Sequence, residues 1–87
     1  MKTGRPRLVD VEAHRRALEN SARRIKTIRT TLGMTQLEFA FYTRVAVNTV
    51  SAWENGLRLP SPLAETAIKN VAVEHGLDLH QMRRFVS

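Results

Sequence analysis

The chain has 87 residues, a formal net charge of +6 and no cysteine; that length allows one domain with a modest core and excludes two. Without cysteine there is neither a disulfide framework nor thiolate chemistry, which suits a reducing cytoplasm. No apolar run approaches the ~20 residues of a membrane span, and the basic start Met1–Leu8 lacks the apolar stretch of a secretory signal.

The charge is unevenly placed. Residues 1–29 hold nine basic side chains against Asp10, Glu12 and Glu19, which is the whole excess; residues 30–87 hold five of each sign. A basic segment on a neutral body points to an anionic partner, nucleic acid ahead of an acidic membrane surface.

In chain order, residues 1–8 carry Gly4, Pro6 and three basic side chains and read as a flexible arm. Asp10 is a candidate N-cap, which draws the boundary between arm and domain at residue 10. From Val11 to Leu32 there is no glycine or proline, and Val11, Leu18, Ile25 and Leu32 recur every seven residues with Ala22 and Ile28 beside them. Two readings stay open: one long helix, or a second start capped by Asn20 or Ser21. The first half is the weaker, because His14 and Arg15 stand where the apolar stripe should continue.

Gly33 stops this helix by taking a left-handed conformation. Thr35 and Glu38 have the spacing of a capping box, so a helix is predicted over Gln36–Thr43. A turn at Arg44–Ala46 leads to a second short helix, Val47–Glu54, closed by Asn55 and Gly56. Phe39, Ala40 and Thr43 share a face of the first helix. Val45, Val50 and Trp53 turn the second inward, leaving Val47, Asn48, Ser51 and Ala52 facing out. Pro60 marks a loop, then Ser61 caps and Pro62 starts a further helix. Leu63, Ala64, Ala67, Ile68, Val71 and Ala72 form its core face, and Gly76 ends it. Asp78 can cap a last short helix that packs back through Leu79, Met82 and Phe85. With no convincing strand, the fold class is all-α, a compact bundle of about five helices over residues 11–87.

Two short helices with a small outward face on the second form a helix-turn-helix pattern. The ordered set of residues that fills this pattern resembles the lambda-repressor-like, Xre-type helix-turn-helix regulators of bacteria and their phages. It is carried by Ile25, Ile28-Arg29, Leu32-Gly33-Met34-Thr35-Gln36, Phe39-Ala40 and Val45. It continues through Thr49-Val50-Ser51, Trp53-Glu54-Asn55-Gly56, Arg58 and Pro60, and covers residues 22–73.

The resemblance implies a cytoplasmic, nucleoid-associated DNA-binding protein, bacterial or encoded by a phage or mobile element. It would act as a transcriptional repressor, as a homodimer on inverted half-sites. It implies an ion pair between Arg29 and Glu54. It places Gln36 near the DNA backbone and the reading helix, and Val47, Asn48, Ser51 and Ala52 against the groove. Thr49 and Ser51 become candidate phosphate contacts, as do Asn55 and Arg58 just after the helix. Asparagine can bond adenine N6 and N7 together, and valine or alanine can rest on a thymine methyl, so A·T-containing sites are expected.

Two positions depart from the family pattern. Arg44 stands where the family usually has glycine in the turn; it either changes the turn or bears the left-handed cost while touching a phosphate. Ala46 replaces the usual serine or threonine cap, so a DNA phosphate becomes a candidate partner for the exposed amides. In the arm, Gly4-Arg5-Pro6 resembles the centre of an AT-hook, and Arg5 and Arg7 become candidates for a narrow A·T minor groove.

Other functions have less behind them. His14, His75 and His80 lack metal-ligand spacing, and no paired carboxylates, nucleophile–base set or phosphate-cradling glycine loop appears, so no enzyme, cofactor or metal is expected. An antitoxin that binds DNA and neutralises a partner toxin is the alternative function.

Overall fold

The computed structural model describes residues 7–77. It has four helices and no strand among them: α1 over Leu8–Thr31, α2 over Gln36–Thr43, α3 over Val47–Glu54 and α4 over Pro62–Glu74. The expected fifth helix, from Asp78 onward, lies outside the described residues, as do Gly4-Arg5-Pro6 and the apolar positions Leu79, Met82 and Phe85. Within the described part the bundle has four helices rather than five.

Of the two readings of the first segment, the single long helix is the one observed. It begins at Leu8 on Arg7, whose extended backbone (φ −70°, ψ 154°) lends no side-chain cap. Asp10 is therefore not the N-cap but an acid in the first turn, where its charge complements the helix dipole. Over the following exposed turns Arg15 bonds Glu12 (2.6 Å) and Glu19 (2.8 Å). The hydrogen bond it donates to Glu12, then the charges of both carboxylates, hold its guanidinium above the ordinary pKa.

Burial divides α1 in two. Ile25 and Ile28 are its only buried residues, whereas Leu8, Val9 and Val11 are exposed. The seven-residue stripe is thus core only from its middle onward. Leu63, expected on the core face of α4, is 81% exposed; it sits in the first turn of α4, and the core contacts of that helix come from Ile68, Val71 and Ala72.

The core is Ile25, Ile28, Met34, Phe39, Ala40, Val50, Trp53, Ile68, Val71 and Ala72, with Leu32, Val45, Ala64 and Leu77 packed against it. α3 packs on both α1 and α2, and α4 packs on α2. Ala40 is 2% exposed, small enough for α2 to lie close beneath its neighbours. The buried Thr43 hydroxyl is satisfied by donating to Phe39 O at 2.7 Å. Between α1 and α4, Arg24 bonds Glu65 at 2.7 Å.

All four helices end in the same two bonds. After α1, Met34 N–H reaches Arg29 O and Gly33 N–H reaches Thr30 O; equivalent pairs close α2, α3 and α4. These are Schellman endings, which need one residue with positive φ. Glycine supplies it at Gly33, Gly56 and Gly76; after α2 it is Arg44, at φ 62° and ψ 44°.

Candidate nucleic-acid interface

The start of α2 is fixed by both halves of the capping box. Thr35 Oγ1 accepts from Glu38 N–H at 3.1 Å, and Glu38 Oε1 accepts from Thr35 N–H at 2.8 Å. This presents Gln36 as the first helical residue.

Beside it, the Arg29–Glu54 pair forms in full. Arg29 Nε donates to Glu54 Oε2 at 2.6 Å and Nη2 to Oε1 at 3.0 Å, while Nη1 donates to Met34 O at 2.8 Å. The side chains are 13% and 4% exposed, so the pair is largely out of water. The hydrogen bond to Glu54 and the attraction of its charge outweigh burial and raise the Arg29 pKa above its ordinary value. Gln36 Nε2 also donates to Glu54 Oε1, at 3.0 Å. One carboxylate at the end of α3 thereby joins the last turn of α1 to the first turn of α2. Sequence reading missed the Gln36–Glu54 bond, since no local signal connects residues 18 positions apart.

On α3, Val47 and Asn48 are exposed, and Thr49, Ser51 and Ala52 are half-buried. Val47, Asn48, Ser51, Ala52 and Asn55 recur at helical spacing on one side, opposite the buried Val50 and Trp53. Asn55 Nδ2 donates to Ser51 Oγ at 3.2 Å, one turn back along that face. The helix begins on Ala46, which makes no side-chain cap bond. Arg44 and Arg58 are both exposed, one before α3 and one after it.

Other basic side chains separate. Arg24 is held by Glu65 and half-buried, and Arg23 bonds Asn20 Oδ1 at 2.6 Å. Arg7 stands at the far end of α1, about 33 Å along the helix from Arg29 at 1.5 Å per residue, so the structure does not bring it to the α2–α3 unit. Arg5 lies outside the described residues. His75 Nδ1 lies 2.9 Å from Val71 O at the end of α4, and its ring meets Tyr42 edge-on at 5.0 Å. No group of three or more potential metal ligands occurs among the described residues. No described helix is long and apolar enough to cross a membrane.

Residues 25–64 match a family model described as helix-turn-helix. That span carries an Xre-type, lambda-repressor-like helix-turn-helix. No curated protein and no solved structure matches the chain significantly. The matched span of this helix-turn-helix starts at Ile25, where α1 becomes buried, and ends at Ala64 in the first turn of α4. It therefore contains α2 and α3 whole and leaves out the exposed half of α1. A helix-turn-helix of this kind supports DNA binding.

Proposed function

We infer that the protein is a sequence-specific double-stranded DNA-binding repressor acting as a homodimer on inverted half-sites. The observation that carries this reading is the outward face of α3, with Val47 and Asn48 exposed on a helix braced from behind by Arg29, Glu54 and Gln36. Such a face covers a half-site, and a two-fold protein suits inverted half-sites about one DNA turn apart.

In this reading Asn48 bonds an adenine edge, and Val47 and Ala52 rest against thymine methyls. Gln36, Thr49, Ser51, Asn55, Arg44 and Arg58 contact the backbone around them and set register rather than sequence. The N–H groups at the Ala46 end of α3 face a phosphate in place of a side-chain cap. Bound over a promoter, the dimer blocks polymerase.

The arm with Arg5 and Arg7 leaves from the opposite end of α1 to the Arg29 network. Its minor-groove contact therefore falls on flanking DNA, away from the bases that α3 reads.

The test is replacement of Asn48 by alanine, followed by selection from randomised duplexes. Preference at one base per half-site should fall by about 1–3 kcal/mol of discrimination, with the other positions kept. Unchanged preference at every position would remove Asn48 from base readout.

A further inference from the structure

Glu54 carries two tasks in this geometry, and the second bears on DNA. Its Oε1 accepts from Arg29 Nη2 and from Gln36 Nε2, each at 3.0 Å. An ionised carboxylate only accepts hydrogen bonds, so the end of the Gln36 amide that meets it must be the nitrogen. The carbonyl oxygen cannot take that place without setting two acceptors against each other. The amide of Gln36 is therefore fixed in one of its two flips by chemistry, on a residue whose backbone is itself fixed by the Thr35–Glu38 capping box.

A phosphate oxygen is also only an acceptor. An amide free to flip would meet it with the carbonyl in one flip and the N–H in the other, and only the second binds. We propose that Glu54 is a positioning residue for DNA binding: it takes one N–H of Gln36 and thereby holds the other N–H to donate to a backbone phosphate at the start of α2. This rests on the DNA-binding reading above. It assigns to the Arg29–Glu54 pair a role beyond joining α1 to α3. Arg29 holds the carboxylate in place through Nε at 2.6 Å, and Glu54, 4% exposed, is screened from water that would compete for the amide.

Glu54→Gln separates the two tasks. The variant amide can still offer its oxygen to Arg29, but it then turns its NH2 group toward Gln36. The Gln36 carbonyl becomes the favoured partner, and the flip is reversed or released. Gln36→Met removes the amide while keeping the shape of the side chain.

The experiment measures the binding of wild type, Glu54→Gln, Gln36→Met and Asn48→Ala to duplexes of the selected sequence. Each duplex carries a neutral methylphosphonate at one backbone position in turn, and thermal unfolding confirms that each variant is folded. The expected result is one phosphate whose neutralisation weakens wild type and Asn48→Ala about tenfold, as loss of a hydrogen bond to a charged group does. The same substitution changes Glu54→Gln and Gln36→Met less than twofold. Folded Glu54→Gln with wild-type sensitivity at that phosphate overturns the proposal, and so does the absence of any phosphate that separates Gln36→Met from wild type.

If Glu54→Gln does not fold, the Gln36 side-chain amide protons in the wild-type NMR spectrum decide. One proton shifted by the carboxylate in the free protein, with the other moving on addition of duplex, supports the proposal; a second proton unmoved by duplex overturns it. A wild-type chain that binds no duplex at all is a different failure, that of the DNA-binding reading beneath.

Discussion

Arg44 has the least comfortable backbone in the described chain. It alone among non-glycine residues there has positive φ, and it ends α2 with the same pair of bonds that glycine completes for the other three helices. A left-handed conformation costs a residue with a Cβ about 1–2 kcal/mol. Arg44→Gly should therefore raise stability, by about 1 kcal/mol after the larger entropy of glycine in the unfolded chain is subtracted. Chemical denaturation measures this gain. If the exposed guanidinium touches a phosphate, the same variant should bind DNA more weakly and lower the slope of log K against log salt by about 1. A more stable protein with an unchanged salt slope would leave Arg44 a structural oddity without a DNA contact. Asn48 carries the complementary expectation: specificity, with little effect on the fold, because its side chain is exposed.

Among the elements, α3 and α1 differ from what their sequences would lead one to design. α3 starts on Ala46, where serine or aspartate would bond a first-turn amide. Ala46→Ser should stabilise the fold by about 1 kcal/mol, readable as a rise in melting temperature. The end of α1, the start of α2, the end of α3 and both ends of α4 were legible from their own punctuation: Gly33, the Thr35–Glu38 box, Gly56, the Ser61-Pro62 start and Gly76. The α1 start was not. Arg7 gives no capping signal, and Asp10, a good cap in isolation, is taken into the first turn because nothing breaks the helix before it. Nor does a heptad stripe say whether anything packs against it, and Val11 on that stripe is 47% exposed. The N-terminal half of α1 buries no residue and should open locally at little cost. Hydrogen exchange should show amides of residues 11–17 exchanging well before those of Ile25 and Ile28; equal protection would mean that this half of α1 is covered in solution.

For the molecule as a whole, the decisive contacts join residues far apart in sequence. The Arg29–Glu54 pair was visible only through the family resemblance. Its extension to Gln36 and the Arg24–Glu65 bridge between α1 and α4 had no sequence signal at all. Breaking one half of a largely buried pair costs about 3–5 kcal/mol, a large share of the ~5–15 kcal/mol that holds a domain together. Arg29→Ala should accordingly leave the chain partly unfolded near room temperature, visible as lost helical circular dichroism. The candidate DNA face was legible as far as Val47, Asn48, Ser51 and Ala52, since helical periodicity alone sets which side of α3 they occupy. Charge is a further property of the whole chain, because the net charge of +6 resides in residues 1–29 while α3 is uncharged on its outer side. On the proposed reading, nonspecific attraction and specific reading fall on different parts of the chain, and raising salt should weaken the first far more than the second. The most direct test of the central claim is selection of the full chain against randomised double-stranded DNA, with sequencing of what is retained. The account predicts an enriched motif of two inverted, A·T-containing half-sites about one helical turn apart; retention of all sequences alike would contradict it.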